Sequence, residues 1–240
     1  MSLRLHVGLP LAQLQAGSEF ALPPGAARHA QVRRVQPGDP LCLFDGSGID
    51  RRAQVLSMGR SEVRVRLGDA AAVAAELPFD VLLAVGMPAN ERMDMLVEKA
   101  TELGVATIQP LLTERSVLRL EGERAQRKRE HWKGVAIAAC EQCGRSRVPH
   151  VAPIANLRDW LPQSGPGLRL VLSLAPDAKP PGPVRGPVIS LSGPEGGLSA
   201  AEEDLARQHG FLPTALGPRI LRADTAPLAL LAHLGLSNPA

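Results

Sequence analysis

The sequence predicts an α/β protein whose C-terminal part forms a parallel sheet, preceded by a smaller β-rich domain. Short β-type runs separated by turn residues fill the N-terminal third. Residues 79–112 then read as strand, helix and strand with short links, the pattern of a parallel βαβ unit. Finally, residues 191–234 place two glycine-containing turns after apolar strands, an arrangement typical of ligand sites at the carboxyl ends of parallel strands.

The N-terminal elements follow one another closely. Residues 3–8 alternate as a short strand, and residues 26–35 form a short helix. Three further strands, separated by turn residues, are predicted at 40–46, 51–59 and 61–68. An Ala-rich stretch near residues 70–78 then marks a boundary. We therefore expect a first domain at 1–72 and a second at 73–240.

The second domain continues as alternating elements. The apolar run at 79–85 predicts a strand covered on both faces. Asn90 is expected to cap a helix that ends at Gly104, and a strand follows. A long basic helix is expected at 122–143. A short helix, a buried strand, a proline-rich loop and a second buried strand are then predicted at 156–161, 168–176, 176–187 and 186–193.

Positive charge is clustered along the chain, although the formal net charge is only +3. Residues 1–70 carry nine Arg against six acids, and residues 113–148 carry nine Lys or Arg against five acids. Such clusters fit a polyanionic partner, or alternatively a solvated arginine-rich surface. With six aromatic residues and no Tyr, stacking on single-stranded bases is not expected to dominate binding.

The sequence predicts a cytoplasmic protein. Its first ten residues lack the apolar segment of a signal peptide, and no run approaches the roughly 18 apolar residues of a membrane span. Three cysteines, an odd number, argue against a disulfide framework. Cys140 and Cys143 form a CxxC late in an apolar helix, where neither a stabilised thiolate nor four zinc ligands is expected. We therefore expect no metal.

The first glycine turn, at residues 193–199, superficially suggests a phosphate-binding loop. It lacks the Lys of the P-loop, however, and no G-x-G-x-x-G follows a strand elsewhere. Its three glycines still permit close backbone approach, and Ser199 with Glu202 has the spacing of a capping box. The turn is either part of a ligand site or a purely structural connection between strand and helix.

The second turn carries Arg219 and Arg222, which a preceding Gly-Pro break places next to each other. Thr225 is expected to cap the final helix. An arginine pair beside a backbone-lined pocket suits a phosphate group or a base edge. Either arginine could instead form a salt bridge with Asp224 or Glu195.

Four ordered motifs spread over nearly the whole chain resemble the RsmE family of ribosomal RNA small-subunit methyltransferases, which belong to the SPOUT superfamily. The motifs are RHAQVRRVQPGD with LFDGSG, RMDMLVEKATELGVATIQPLLTERS, IAACEQCGRSRVP, and LSGPEGGLSAAE with LGPRILRADTA. The resemblance implies an N-terminal PUA-like β-barrel that binds RNA and a C-terminal SPOUT-type domain with a parallel sheet and a deep trefoil knot. It also implies S-adenosylmethionine as methyl donor, a homodimer, and methylation of N3 of one uridine in 16S rRNA, either as naked RNA or within the small ribosomal subunit.

The resemblance further implies a donor pocket formed mainly by backbone in three segments, 172–174, 191–197 and 216–221, and by two helix residues. The expected residues are Leu172, Ser173, Leu174, Leu191, Gly193, Pro194, Glu195, Gly196, Gly197, Leu216, Gly217, Pro218, Ile220, Leu221, Thr225 and Ala226. Two departures from the family pattern stand out. Ala223-Asp224 replaces a common Thr-Glu, and residues 88–91 replace a more basic turn.

Chemistry at uridine N3 requires loss of a proton and leaves negative charge on the base. We hypothesise that Arg222 and Arg219 stabilise this charge, and that Glu141 or Asp224 accepts the proton. Because N3 lies on the Watson–Crick edge, the uridine must be unpaired or extruded. The arginines expected to contact RNA phosphates are Arg4, Arg28, Arg33, Arg34, Arg145 and Arg147.

Three other functions are weighed against this one. A SPOUT methyltransferase acting on the ribose 2′-OH of tRNA would share the C-terminal turns, but the LFDGSG motif of the first domain argues against it. A ribosome-assembly protein that binds RNA without catalysis would not need intact GPEGG and GPRILR turns. A redox or metal protein using the CEQC motif is the third, and a metal assay would test it.

Overall fold

The computed structural model describes residues 2–60, 62–72 and 75–238. The chain divides into two compact units. The first comprises Met1–Glu76 and Cys140–Val148, and the second Leu77–Ala139 and Pro149–Ala240. The sequence predicted a single boundary after residue 72. It did not predict that residues 140–148 would group with the first unit.

The first unit is a five-stranded sheet with one helix. Its elements are β1 (Leu3–His6), a 3₁₀ turn (Leu11–Gln13), β2 (Glu19–Ala21), α1 (Pro24–Val32), β3 (Pro40–Phe44), β4 (Ile49–Met58) and β5 (Val63–Ala72). The strands lie in the order β1-β3-β4-β5-β2, with β1 and β3 parallel and the other neighbours antiparallel. Val55 of β4, Val65 of β5 and Ala30 of α1 are buried in one core cluster. The predicted small β-rich domain is confirmed.

Polar contacts bind the 140–148 segment to the first unit. The guanidinium group of Arg4 forms an ion pair with Asp50 and donates to the carbonyl oxygen of Arg145 at 3.1 Å. The side chain of Arg145 pairs in turn with Glu76 at 2.5 Å. These long-range contacts, which join residues 69 to 141 positions apart, explain why the segment groups with the N-terminal strands.

The second unit alternates strands and helices. Its elements are β6 (Val81–Gly86), α2 (Asn90–Glu102), β7 (Thr107–Leu112), α3 (Gly122–Cys143, of which the last four residues group with the first unit), β8 (His150–Val151), β9 (Ala155–Asn156), α4 (Leu157–Trp160), a 3₁₀ turn (Leu161–Gln163), β10 (Leu168–Leu172), β11 (Val188–Ser192), α5 (Ala200–Gln208), β12 (Leu212–Thr214) and α6 (Thr225–Ser237). None of the helices among the described residues has the length and apolar character that crossing a membrane requires.

All seven strands of the second unit pair in parallel, which confirms the predicted sheet. Their order is β12-β10-β11-β6-β7-β8, and β9 also pairs with β7. β11 therefore lies between β6 and β10, although it follows both in the chain. Because parallel strands end at the same edge of a sheet, the loops after β12, β10 and β11 emerge side by side.

The apolar patterns of the sequence match the core of the second unit. Every residue of β11 is buried, as expected for a strand covered on both faces. On α2, the side chains of Met93, Leu96 and Val97 are fully buried at helical spacing. The N-cap residue of α2 is Ala89. The predicted capping position at Asn90 is therefore one residue too late.

Candidate functional site

A cavity of about 630 Å³ opens at the carboxyl ends of β12, β10 and β11. The last residue of each of these strands lines it, namely Thr214, Leu172 and Ser192. Its volume lies within the range of sites that enclose a ligand the size of a drug or cofactor. Both glycine turns singled out in the sequence contribute to its wall.

Two glycines, one in the turn after β11 and one at the end of β6, allow the backbone to approach more closely than any side chain would permit. A Cβ atom on Gly193 would lie 2.6 Å from Gly197 C and from Leu198 N. At the end of β6, a Cβ atom on Gly86 would lie 2.6 Å from Pro194 Cδ. These distances are far below van der Waals contact, so the backbone itself closes the turn and forms this wall of the cavity.

The capping box predicted at the start of α5 is present, and its Glu also bonds to a residue outside the helix. Ser199 Oγ accepts from the Glu202 N–H at 3.2 Å, and Glu202 Oε2 accepts from the Ser199 N–H at 2.9 Å. The other oxygen of Glu202 accepts from the Glu114 N–H at 2.8 Å. Glu202 is buried. Its carboxylate thus ties the glycine turn to the loop after β7.

Arg115 holds the same turn from the loop after β7. One Nη of Arg115 donates to the carbonyl oxygens of Gly196 at 2.7 Å and Leu198 at 3.3 Å. The residue also lines the cavity. The sequence alone did not indicate this role, because the two partners are more than 80 positions away.

Glu195, at the tip of the turn, is engaged by the segment that leads into α2. Its Oε1 accepts from the Ala89 N–H at 3.1 Å and forms an ion pair with Arg92 at 3.6 Å. The alternative salt bridge from Arg219 or Arg222 to Glu195 does not occur among the described residues. Both second-turn arginines therefore keep their charge available to the cavity.

A chain of polar contacts forms the wall on the β10 side. Ser173 Oγ donates to Glu203 Oε1 at 2.7 Å, and Arg207 donates to the same oxygen at 2.8 Å. Arg207 also pairs with Asp177 at 2.6 Å, and this hydrogen bond lowers the pKa of the Asp177 carboxyl. Glu203 thus brings an anchored carboxylate to the cavity.

Arg219 and Arg222 both line the cavity and both are exposed. No ion pair or hydrogen bond to either side chain is found within residues 2–60, 62–72 and 75–238. Ile220 between them is 81% exposed. The second turn therefore presents two cations and an uncovered apolar side chain at the cavity mouth.

The start of α6 differs from the prediction. Thr225 is the first helical residue, and the N-cap position is taken by Asp224, which makes no side-chain capping bond. Asp224 is 5% exposed, and its Oδ1 has no hydrogen-bond partner among the described residues. A buried carboxylate oxygen without a partner is costly and requires an explanation.

Most residues expected in the donor pocket line the cavity, and three do not. The lining includes Leu172, Ser173, Leu174, Gly193, Pro194, Glu195, Gly196, Gly197, Leu216, Gly217, Ile220, Leu221 and Ala226, together with Ser192. Leu191 is fully buried within β11, and neither Pro218 nor Thr225 is among the lining residues. Side chains that sequence reasoning missed are Arg92, Arg115, Leu198, Glu203, Thr214 and Ala223.

Glu141 lies in the first unit and is already engaged there. Its Oε1 accepts from the His6 N–H at 2.9 Å, and its Oε2 lies 3.1 Å from His29 Nδ1. Burial lowers the pKa of His6. Glu141 is not among the residues that line the cavity.

The six arginines expected to contact RNA fall into two groups. Arg28, Arg33, Arg34 and Arg147 are exposed on the first unit. For the other two the prediction is corrected, because Arg145 is 2% exposed and the Arg4 side chain is 13% exposed. Both guanidinium groups bond to carboxylates inside this unit, which leaves them unavailable to phosphates.

The cysteines do not form a reactive cluster. All three are free thiols, and burial raises the pKa of both Cys42 and Cys140 to about 12. Within the described ranges, no group of three or more His, Cys, Asp or Glu is placed to hold a metal ion.

The comparisons with known proteins give the class of this fold and site. Residues 75–235 match the family model described as "RNA methyltransferase domain", and residues 22–68 match the model described as "RNA methyltransferase PUA domain". The first match covers well over half of the chain. The fold and site are thus those of an RNA methyltransferase with a PUA-like domain.

Individual relatives narrow the class. The chain is 27% identical to ribosomal RNA small subunit methyltransferase E of Bacillus subtilis, over 96% of this chain and 95% of that protein. The crystal structure of the protein of that name from Neisseria gonorrhoeae, bound to S-adenosyl methionine, is 34% identical with a TM-score of 0.91, covering 98% and 97% of the two chains. A Legionella pneumophila methyltransferase with bound SAM is 33% identical with a TM-score of 0.90, covering 99% and 98%. The chain therefore belongs to the ribosomal RNA small subunit methyltransferase E family, as its motifs predicted.

Proposed function

We propose that this protein transfers a methyl group from S-adenosylmethionine to N3 of a specific uridine in 16S rRNA, in the cytoplasm. The observation that carries the proposal is the cavity at the carboxyl ends of β12, β10 and β11, with the two glycine turns as its walls. Family membership supports the reaction class. The Neisseria and Legionella relatives with this fold have S-adenosylmethionine bound.

The residues of the cavity fit this donor chemically. Apolar side chains of Leu172, Leu174 and Leu221 suit a flat aromatic base. Ser192 Oγ is buried without a hydrogen-bond partner among the described residues, and Ser192 lines the cavity. Glu203 offers a carboxylate to the donor's positive groups. The site thus combines apolar walls, an unpaired hydroxyl and an anchored acid.

When bound, the donor supplies an electrophilic methyl group on a sulfonium. The protein's own task is then to hold the uridine in line and to manage the charge that develops on it. Arg222 and Arg219 are placed for this at the cavity mouth, because their charges are not neutralised by any acid among the described residues. They stabilise the negative charge on the uridine O2 and O4 as the N3 proton leaves.

Asp224 is the better candidate for accepting that proton. Its Oδ1 is buried without a partner in the described part of the chain. Asp224 itself is not among the residues that line the cavity, but the preceding residue, Ala223, is. Both oxygens of Glu141, the other predicted base, are occupied by His6 and His29. We therefore assign the general base to Asp224, directly or through one water.

Two finer features of the proposal concern the fold and the assembly. A deep trefoil knot is supported by the insertion of β11 between β6 and β10, both earlier in the chain. A homodimer is supported by α6, which has apolar residues on all sides and leaves Leu236 86% exposed. Analytical ultracentrifugation tests the dimer, and a monomer at micromolar concentration would contradict it.

RNA recognition is assigned to the exposed arginines of the first unit, Arg28, Arg33, Arg34 and Arg147. Contacts of this kind read the phosphate backbone and weaken steeply as salt rises. The target uridine must leave any base pair to expose N3. Recognition and chemistry thus draw on different residues.

The decisive experiment compares 16S rRNA from cells with and without this protein by mass-spectrometric mapping. Loss of one N3-methyluridine, restored by wild-type protein, supports the proposal. Purified small subunits and naked 16S rRNA are then offered as substrates with labelled S-adenosylmethionine. Arg222→Ala is expected to reduce turnover at least tenfold, and unaltered turnover would remove the role given to Arg222.

A further inference from the structure

A dense basic segment spans the end of the loop before α3 and the first turns of that helix. Residues 119–129 contain five Arg or Lys against two Glu. This short stretch alone therefore carries a formal charge equal to the +3 of the whole chain. The Lys and Arg residues concerned belong to the second unit, which also contains the cavity.

The rotation of α3 about its axis is fixed by its inward contacts. Trp132 is fully buried and donates through Nε1 to Asp94 Oδ1 at 3.0 Å. Arg129 donates through Nε to the Val151 carbonyl oxygen at 2.8 Å, and Ala136 is fully buried. The side of the helix that bears these residues faces α2 and β8.

Arg127 lies far from that side, whereas Arg124 lies about 80° and Lys128 about 40° from Trp132 around the helix axis. At about 100° per residue, Arg124, Arg127 and Lys128 fall within roughly 100° of one another around the axis. Arg124 and Arg127 are exposed and Lys128 is half-buried. Only Arg127 has an acidic neighbour, Glu123, at the long distance of 4.0 Å. In the described ranges no ion pair involves Arg124 or Lys128, so their charges are not neutralised within the protein.

The basic face lies close to the cavity along the chain. Arg115 lines the cavity, and the exposed Arg119 follows only four residues later. Because an extended residue spans at most about 3.6 Å, the Cα atoms of these two residues are within roughly 14 Å. The positive surface therefore begins beside the site where the uridine would be held.

We infer that Arg119, Arg124, Arg127 and Lys128, here called the α3 basic face, bind the phosphate backbone of the RNA that flanks the target uridine. The inference rests on the proposed function, since it takes RNA as the substrate of the neighbouring cavity. Cations that follow one another along this segment, of which only Arg127 has an acidic partner in the described ranges, match a row of phosphates and give affinity without reading sequence. The α3 basic face orients the RNA, while the cavity selects the base.

The test replaces three residues of the face together, as Arg119→Gln, Arg124→Gln and Lys128→Gln. The control removes the same charge from three basic residues of the second unit that are paired with acids, as Lys99→Gln, Lys133→Gln and Arg158→Gln. Binding of a 16S rRNA transcript is measured between 50 and 200 mM salt by fluorescence anisotropy. Binding of S-adenosylmethionine, followed by calorimetry, checks that the fold and the cavity are intact.

The affinity for RNA falls as the salt concentration rises over this range. If three phosphate contacts are lost, the ratio of the affinities at the two ends of the range should be smaller by a factor of roughly 20 to 40 in the test variant than in wild type. The control should keep the wild-type slope. Equal behaviour of both variants, or an unchanged test variant, would overturn the inference. The proposed function is tested separately. It would be contradicted if the wild-type protein transferred no methyl group to 16S rRNA or to the small subunit.

Discussion

Replacing Gly193 by Ala is the sharpest probe of the glycine turn. The added methyl would start 2.6 Å from Gly197 C and Leu198 N, whereas ordinary contact begins near 3.4 Å, so the turn must move by roughly 0.8 Å. Both atoms belong to the backbone and cannot rotate away. We expect a loss of about 1–3 kcal/mol in the free energy of unfolding, as for other overpacked sites. Since the turn is also the wall of the cavity, a shift approaching 1 Å should weaken donor binding and slow methyl transfer by up to about 100-fold.

Chemical denaturation measures the first effect and isothermal calorimetry with S-adenosylmethionine measures the second. Gly182→Ala in the proline-rich loop is the matched control, because a Cβ atom there meets nothing within 4 Å and Gly182 is not among the residues with positive φ. The control should leave donor affinity unchanged. Wild-type affinity in Gly193→Ala would refute the conclusion that backbone contact at this position shapes the donor site.

Other predictions follow from the same contacts. Arg115→Ala removes two hydrogen bonds to the turn. Because this costs roughly 2 kcal/mol of binding free energy, the dissociation constant for S-adenosylmethionine should rise about thirtyfold. Turnover at saturating donor should change less. Arg115→Lys should recover part of the affinity, and a variant without loss would contradict the positioning role. Burial alone would raise the pKa of Asp50, but hydrogen bonds from Arg4 and Ser146 outweigh it and lower that pKa. Asp50 therefore stabilises the fold above its unfolded pKa of about 3.9 and loses this contribution as pH falls through its lower folded value. The stability difference between wild type and Asp50→Asn, measured by denaturation, should be large at pH 7 and shrink as the pH falls below about 3.9. Cys140, with its pKa raised to about 12, should resist iodoacetamide at pH 8 in the folded protein, and rapid labelling found by mass spectrometry would contradict its burial.

The glycine turns were the most predictable part of the site. Local rules act within a few residues, and the Ser199 and Glu202 capping box followed from spacing alone. Parallel strand ends also place the two turns together without any knowledge of side chains. The family motifs then supplied the donor, which no local rule could have named.

Contacts between distant positions were not predictable. The sequence shows that Arg4 and Arg145 are basic, but their carboxylate partners lie 46 and 69 positions away. Only the folded chain reveals that both arginines are paired and that Arg145 is buried and Arg4 half-buried, whereas Arg28 and Arg33 are exposed. The prediction that Thr225 caps α6 was wrong by one position, because the helix begins one residue earlier than a Thr cap requires.

Two of the buried polar atoms that lack a partner among the described residues belong to the turns that form the cavity wall. An unsatisfied buried hydroxyl or carboxylate costs about 1–3 kcal/mol, and both Ser192 Oγ and Asp224 Oδ1 belong to this class in the described residues. Ser192 ends the strand from which the first turn starts, and Asp224 ends the second turn, so each of the two turns carries one such atom. Glu202, which follows the first turn, is bonded at both carboxylate oxygens. Four other buried side-chain atoms without a partner in the described ranges belong to Arg4, Ser164, Arg169 and Ser190, none of which lines the cavity. A missing partner therefore does not mark the site by itself, and the role proposed for Asp224 rests on its position at the end of the second turn.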